Sequence, residues 1–259
     1  MSLRGDRDGP GGDLSGAEGF AADLHCHLLP QIDDGARDLD DAVEMARQAA
    51  ADGIEAICAT PHIRHDHDVR IAELAERITE LSAALAEREV PVAVLAGGEV
   101  AETALAGLDD EELSRVALGG GRWILLEPRP GPLSDHLVDA VDELAERGFG
   151  SIVAHPERHA DETIATRLRE LAGRGALIQV TAEHLVRDDT APLLLALADQ
   201  GLVHLLGSDA HSSRAGRPVR LSPALQRLAS VERVRGHLGW ISREGPRAVV
   251  SGGGVEPPF

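Results

Sequence analysis

Short apolar runs alternate with longer amphipathic segments along this chain. The runs, at residues 20–24, 56–59, 92–96, 123–126, 151–154, 177–180 and 203–206, are rich in Ile, Val, Leu and Ala and span four or five positions each. Continuous apolar runs of that length predict strands buried on both faces, as in a parallel sheet. The segments 39–52, 69–88, 134–147, 162–174 and 192–200 repeat apolar residues at helical spacing. The stretch 97–122 is less regular, with a helical pattern only at 109–116, and helices between about 223 and 250 are expected to complete an outer layer. Such alternation predicts a parallel α/β architecture. Periodicity is equally compatible with an open sheet and a closed barrel. The polar residues that follow the strands favour the barrel: His25 and His27, His62, Glu99, Glu127, His155, and Asp209 with His211. On a barrel every strand ends at one rim, where these groups converge; on an open sheet the edge strands would scatter them.

Composition narrows the class. A chain of 259 residues with 43% hydrophobic content can bury one sizeable core. A single domain is expected at 20–250, between an acidic, Gly-rich flexible tail at 1–19 and a flexible Gly- and Pro-containing tail at 251–259. Aromatics make up 2% and Tyr is absent, so aliphatic side chains must do most of the packing. The formal net charge of -19 repels nucleic-acid phosphates and anionic membranes, which excludes both as bulk partners. No apolar run reaches membrane-spanning length, and residues 1–19 lack the apolar stretch of a signal peptide. The two cysteines, Cys26 and Cys58, give no disulfide framework and fit a reducing compartment. The expectation is a soluble, cytoplasmic protein. A small anionic substrate stays compatible with the charge if a local positive site, such as metal ions, captures it.

The candidate chemistry is a series of His, Asp and Glu clusters. His25 and His27 alternate on a strand and so point to one side. Asp33-Asp34-Gly35 reads on its own as a turn, and Asp38–Asp41 as helix-start acids, with Asp38 a plausible N-cap. His62 closes the second strand, with His65 and His67 in a polar loop read as solvated. Glu99 follows Gly97-Gly98 at the third strand, and Glu127 ends the fourth. His155 is followed by Arg158, and Asp209 and His211 by Arg214 and Arg217. Glu102 has no comparable setting. Each signal is modest alone, but chance would not drop such residues repeatedly just after strands. Nitrogen and oxygen donors without thiolate suit Mn, Fe or Zn, and their number exceeds the need of one ion, which predicts two or three. Clustered divalent ions activate water and clamp phosphoryl oxygens. A competing motif, Cys58 to Arg64, matches the Cys-x5-Arg loop of cysteine-dependent phosphatases. Pro61 removes a backbone donor and no glycine lets the loop curl round an anion, so the match reads as accidental.

With these motifs in order, the sequence resembles the PHP (polymerase and histidinol phosphatase) superfamily, in particular its bacterial tyrosine-phosphatase branch linked to capsular and exopolysaccharide synthesis. The matching runs are DLHCHLLPQIDDGA at 23–36, ATPH at 59–62, GGEV at 97–100, LLEP at 125–128, AHPERH at 154–159, SDAH at 208–211 and GRP at 216–218. The resemblance implies a distorted (β/α)7 TIM-like barrel holding three metals, usually Mn or Fe. Carried over by position, it implies His25, His27, Glu99 and Asp209 around one metal. Glu99, Glu127 and His155 fall around a second, and Asp34, His62 and His211 around a third. It also implies Arg158 and Arg217 as phosphate-contacting residues. Asp33 matches less well than Asp34.

The function implied is a metal-dependent phosphomonoester hydrolase, a protein-tyrosine phosphatase in which metal-activated hydroxide attacks phosphorus. Its partner would be a phosphotyrosine protein, such as a bacterial tyrosine kinase of polysaccharide synthesis. Histidinol phosphate or small nucleotides are the alternative substrates within the superfamily. A non-catalytic metal-binding module is a further alternative, disfavoured because storage needs no arginine clamp. The scarcity of aromatics leaves open how a phenyl ring would be gripped.

Overall fold

A computed structural model of the chain describes residues 21–259, and the tail expected at 1–19 lies outside them. The strands are β1 (Ala22–Cys26), β2 (Ala56–Ala59), β3 (His62–Ile63), β4 (Ala93–Leu95), β5 (Glu99–Ala101), β6 (Trp123–Glu127), β7 (Gly150–Ala154), β8 (Leu177–Thr181) and β9 (Leu205–Gly207). All pair in parallel, in one sheet of order β1-β2-β4 and another of order β3-β5-β6-β7-β8-β9. Only Thr60 and Pro61 separate β2 from β3, and only residues 96–98 separate β4 from β5. Each pair is therefore one stave broken in the middle. Pro61 cannot donate to a ladder, and Gly97-Gly98 offer no side chain to pack on it. The sequence pattern shows neither β3 nor β5 because each break interrupts its apolar run.

Counted as staves, β1, β2/β3, β4/β5, β6, β7, β8 and β9 make seven. The ring closes where Cys26 bridges Ala210 in parallel. There Asp209 N donates to His25 O at 2.8 Å and His27 N to Ala210 O at 2.9 Å. The fold is the expected distorted (β/α)7 barrel.

Around it run α1 (Leu39–Ala51), α2 (Leu74–Glu87), α3 (Asp110–Val116), α4 (Asp135–Glu146), α5 (Ile164–Gly173), α6 (Ala182–Val186), α7 (Ala191–Asp199), α8 (Ser222–Leu228), α9 (Glu232–Arg235) and α10 (Gly245–Val250). Asp38 caps α1 as expected, its carboxylate accepting from Asp41 N at 2.8 Å. The buried stripe of α1, Ala42, Val43, Met45, Ala46 and Ala49, faces the sheet. The helix expected from 69 begins later, at Leu74, after a tight turn at Ile71–Glu73.

The core forms two clusters. An inner one fills the barrel with Leu24, Cys58, Leu125, Ile152, Leu177 and Leu205, among others. An outer one joins Cys26, Ile57, Ile124, Val153, Ile178 and Leu206 to the helices. Leu24 is inside and Cys26 outside, although residues two apart on an unbroken strand share a face. A register shift between Asp23 and Cys26 breaks the parity. The resulting bulge re-aims the end of β1, as bulges beside functional sites do.

Residues 251–259 carry neither helix nor strand but rest on the barrel. Trp123 Nε1 donates to Gly253 O at 3.1 Å, and the Phe259 ring lies 5.5–6.2 Å from those of His204, His237 and Trp240. Composition suggested a loose tail and did not anticipate these contacts, which depend on long-range packing.

Candidate metal centre

The ends of the staves bring all nine expected donors into four overlapping groups: His25, His27 and Glu99; His25, His155 and Asp209; His62, Glu99 and Glu127; and His27, Asp34, His62 and His211. Register accounts for much of this, since His62 lies directly beside Glu99 and Glu99 beside Leu125, two residues from Glu127. Glu99 Oε2 lies 3.4 Å from His25 Nε2, 3.3 Å from His27 Nε2 and 2.9 Å from His62 Nδ1. Its Oε1 lies 2.7 Å from His155 Nε2. Asp209 Oδ1 completes the ring, 3.6 Å from His25 Nε2 and 3.8 Å from His27 Nε2. His25, His27, Glu99, His155 and Asp209 are all buried, whereas the Asp34 side chain is 57% exposed at the rim.

The far edges of the two first imidazoles are pinned. His25 Nδ1 lies 2.9 Å from Gln179 Oε1, and His27 Nδ1 2.8 Å from Asp33 Oδ2. Both Nδ1 atoms therefore donate, which leaves both Nε2 lone pairs facing inward, as metal-ligating histidines require. Asp33 thus differs from Asp34: it also accepts from His62 N at 3.1 Å and Gly35 N at 2.9 Å, orienting the donors from behind. Gly207 makes room for this arrangement, since a Cβ there would fall 2.6 Å from Gln179 Nε2 and 2.7 Å from His25 Cβ. His155 and Asp209, at the ends of β7 and β9, hold positive φ of 31° and 50°. Such strain in non-glycine residues collects at functional sites, where the surrounding structure holds it.

The electrostatics of the donor set favour a cation. Burial alone would lower the pKa of His27, but the bond to Asp33 and the nearby Glu99 carboxylate raise it to about 10. Burial opposes ionisation of Glu99, yet the surrounding imidazoles hold it well below the usual carboxylate range. Asp209 falls likewise to about 2, through His25, His155 and Arg158 acting against burial. Burial and repulsion from Glu99 raise Glu127. The carboxylates thus favour the protonated forms of His25 and His27, whereas burial and repulsion from His27 lower His211 to about 4. Glu99 Oε2, His62 Nδ1 and His155 Nδ1 are buried with no aligned hydrogen-bond partner. A close oxygen–nitrogen pair with no hydrogen bond between them, in an all-nitrogen-and-oxygen set, fits a divalent cation.

Arg158 and Arg217 both reach the centre, and both engage Asp209: Arg158 pairs with its Oδ2, and Arg217 Nη2 lies 3.0 Å from its Oδ1. Arg217 Nε also donates to Asp209 O at 2.6 Å. With Asp34, His62, Arg64, Glu127 and His211 they line a mouth of about 430 Å³.

Several residues were not legible as site residues. Gln179 lies mid-strand in an apolar run, and only its inward face gives it a role. Arg64 Nη1 holds Glu127 Oε1 at 3.0 Å. His67, read as solvated, has its ring 4.9 Å from that of His62 and its Nε2 3.3 Å from Arg64 Nη2. Glu102, passed over, is buried and pairs with Arg129. Cys58 belongs to the inner core, and burial raises its thiol pKa, so it cannot serve as a nucleophile.

The family model for capsular polysaccharide synthesis proteins CpsB/CapC matches residues 21–236. The chain belongs to the CpsB/CapC family. This CpsB/CapC member is 32% identical over 200 residues to tyrosine-protein phosphatase YwqE of Bacillus subtilis (strain 168), a match covering 73% of this chain and 77% of that one. It is 30% identical over 197 residues to the putative tyrosine-protein phosphatase CapC of Staphylococcus aureus, covering 73% and 76%. Its fold superposes with a TM-score of 0.79, at 28% identity over 92% of this chain and 98% of the other, on a structure from work on B. subtilis YwqE and Streptococcus pneumoniae CpsB, described as unique metal-dependent tyrosine phosphatases.

Proposed function

We propose that this CpsB/CapC member is a metal-dependent phosphomonoester hydrolase acting on phosphotyrosine in proteins. The carrying observation is the convergence of nine donor side chains, Glu99 among them, with two arginines at their edge. The names of its relatives support the substrate class. In this reading His25, His27, Glu99 and Asp209 hold one divalent ion. Glu99, Glu127 and His155 hold a second, and Asp34, His62 and His211 a third, with Mn the best fit to mixed imidazole and carboxylate donors. Residues 20–250 act as one catalytic unit. The partner is a phosphotyrosine protein in the cytoplasm, such as a tyrosine kinase of polysaccharide synthesis.

Bound ions supply Lewis acidity that lowers the pKa of a water and offsets phosphoryl charge. The chain's own residues do the rest. Gln179 and Asp33 keep the His25 and His27 tautomers fixed. Arg158 and Arg217, at the edge of the donor ring, bind and orient the phosphoryl oxygens with the guanidinium N–H groups not turned towards Asp209. The buried floor excludes bulk water, which strengthens every interaction made there. A phenolate leaves readily, having a pKa of about 10.

The test is turnover by the purified, metal-analysed protein on a phosphotyrosine peptide, histidinol phosphate and a nucleotide panel. Chelation should abolish hydrolysis of the peptide, and Mn should restore it. Full activity in metal-free protein, or preference for another substrate of the panel, would overturn the reading.

A further inference from the structure

The mouth at Arg158 and Arg217 shares part of its lining with a neighbouring hollow. It continues into a second cavity of about 590 Å³ that shares Arg64, Glu127 and Arg158 with it. That volume lies within the roughly 300–1,000 Å³ that takes a small organic group. Its walls come from two segments: the loop that follows β3, with Arg64 and His65, and the loop that follows β6, with Pro128 and Pro130. Ala101 and Thr103 of the β5 end and the His159 ring complete it. His159 is fixed there, because its Nδ1 donates to Gly131 O at 2.8 Å. The Glu102–Arg129 pair, with Glu102 buried, anchors the middle of the 128–131 segment. These bonds tie the 128–131 wall in place, and the lining sets pyrrolidine rings, methyl groups and imidazoles beside the charged Arg64, Asp66, Glu127, Arg129 and Arg158, with no Phe, Tyr or Trp among them.

We propose that this cleft is the subsite for the phenyl ring of the substrate, and that it gives the enzyme its preference for aryl over alkyl phosphates. The proposal rests on the phosphatase reading above and deepens it. Two observations favour a ring as the occupant. The cleft is continuous with the arginines, so a group bonded to a phosphate held by Arg158 enters it directly. Five of the nine donors are also recessed: His25, His27, Glu99, His155 and Asp209 are buried, while Asp34, His62, Glu127 and His211 line the mouth itself. A phosphate that is to reach the buried five must be carried down on a stem. A serine supplies one methylene, too short to keep the peptide backbone clear of the rim, whereas a tyrosine supplies a flat, stiff ring that can lie against Pro128 and Pro130 in the cleft. Such a slot grips the ring by face contact and shape, at little cost in side-chain entropy. This answers how a protein poor in aromatics can select an aromatic substrate.

The experiment uses the metal-loaded full chain and two variants outside the metal and arginine set. Thr103→Trp fills the cleft from an exposed position, and Pro130→Gly removes a wall. Phenyl phosphate probes the ring together with the phosphoryl group; inorganic phosphate, bound in a calorimeter, probes the phosphoryl site alone. In both variants KM for phenyl phosphate should rise on the order of tenfold, with inorganic phosphate affinity within about twofold of wild type. An unchanged KM, or an equal loss for phenyl phosphate and inorganic phosphate, overturns the ring subsite. No turnover of phenyl phosphate or phosphotyrosine peptide by the metal-loaded wild type overturns instead the phosphatase reading beneath it.

Discussion

Asp209 is the most contested residue of the centre. It faces three imidazoles and two guanidiniums, and its backbone is held at positive φ. The arginines can serve substrate only through their forked donors, which a Lys does not reproduce. Arg158→Lys and Arg217→Lys should each lower kcat/KM roughly tenfold to a thousandfold, corresponding to ~1.4–4 kcal/mol of transition-state stabilisation. Metal content should not change; wild-type kinetics in both variants would show that they merely pair with Asp209. A second residue predicts pH behaviour away from the centre. His204 is buried, with Nδ1 accepting from Ile178 N at 3.0 Å and Nε2 donating to Gly201 O at 3.0 Å. Burial lowers its pKa from 6.5 to about 4, only partly offset by the bond to Gly201. Between those values the unfolded chain binds the proton that the folded chain refuses. Its stabilisation is therefore complete above about pH 6.5 and is lost as pH falls towards 4, by up to about 3 kcal/mol. Urea unfolding of metal-free protein at pH 7 and pH 5 checks this, and His204→Gln should flatten the difference. An equally steep loss in the variant would assign the acid sensitivity elsewhere.

At the scale of elements, α1 links two parts of the site. Its cap, Asp38, serves only the helix, but Asp41, one turn on, reaches across to the loop after β9. Asp41 accepts from Ser213 N at 2.9 Å, Ser213 Oγ at 2.5 Å and Ser212 Oγ at 3.0 Å. Burial would raise its pKa, but these bonds hold it at about 2. The loop it fastens carries His211 on one side and Arg217 on the other. Asp38→Ala should cost about 1 kcal/mol of stability, the usual loss for a cap, with kcat/KM unchanged. Asp41→Ala should lower kcat/KM several-fold as well, roughly in step with 1–3 kcal/mol of unsatisfied donors in that loop. Thermal melts and steady-state kinetics on the pair separate the two roles; equal kinetics in both variants would leave Asp41 a helix residue only. The bulge in β1 is the other decisive element. Alternation alone puts His25 and His27 on one face, but the shift beside Asp23 moves that face from the helical layer to the barrel mouth. No residue type in 23–27 announces it.

On the scale of the molecule, the ring of buried donors should make stability depend on divalent ions. The carboxylates of Glu99, Glu127 and Asp209 crowd together, and an ion that binds only the folded chain stabilises it by mass action. Removing metal should lower the melting temperature on the order of 10 °C, since about 4 kcal/mol follows from saturation near 1,000 times Kd and each kcal/mol shifts a domain of this size by a few degrees. Scanning calorimetry with and without chelator checks it, and equal melts with verified metal loss would refute it. The alternation of apolar runs and amphipathic helices made the parallel α/β class legible, because burial on both faces leaves few polar residues in a strand. The recurrence of His, Asp and Glu just after those runs made eight of the nine candidate donors legible, because strand ends on a barrel share one rim, whereas Asp34, in what reads as a turn, was marked only by the family resemblance. Three things were decided by tertiary structure alone. Broken staves at Pro61 and at Gly97-Gly98 put His62 in register with Glu99, which depends on pairing between distant segments. Gln179 became the support for His25 because β8 lies next to β9, at a separation of 154 residues from its partner. Asp33 and Asp34, adjacent and chemically alike, took different places because the turn closed by Gly35 directs one carboxylate behind His27 and the other towards the rim. Local sequence carries the chemistry of a side chain; the direction in which it points belongs to the packing around it.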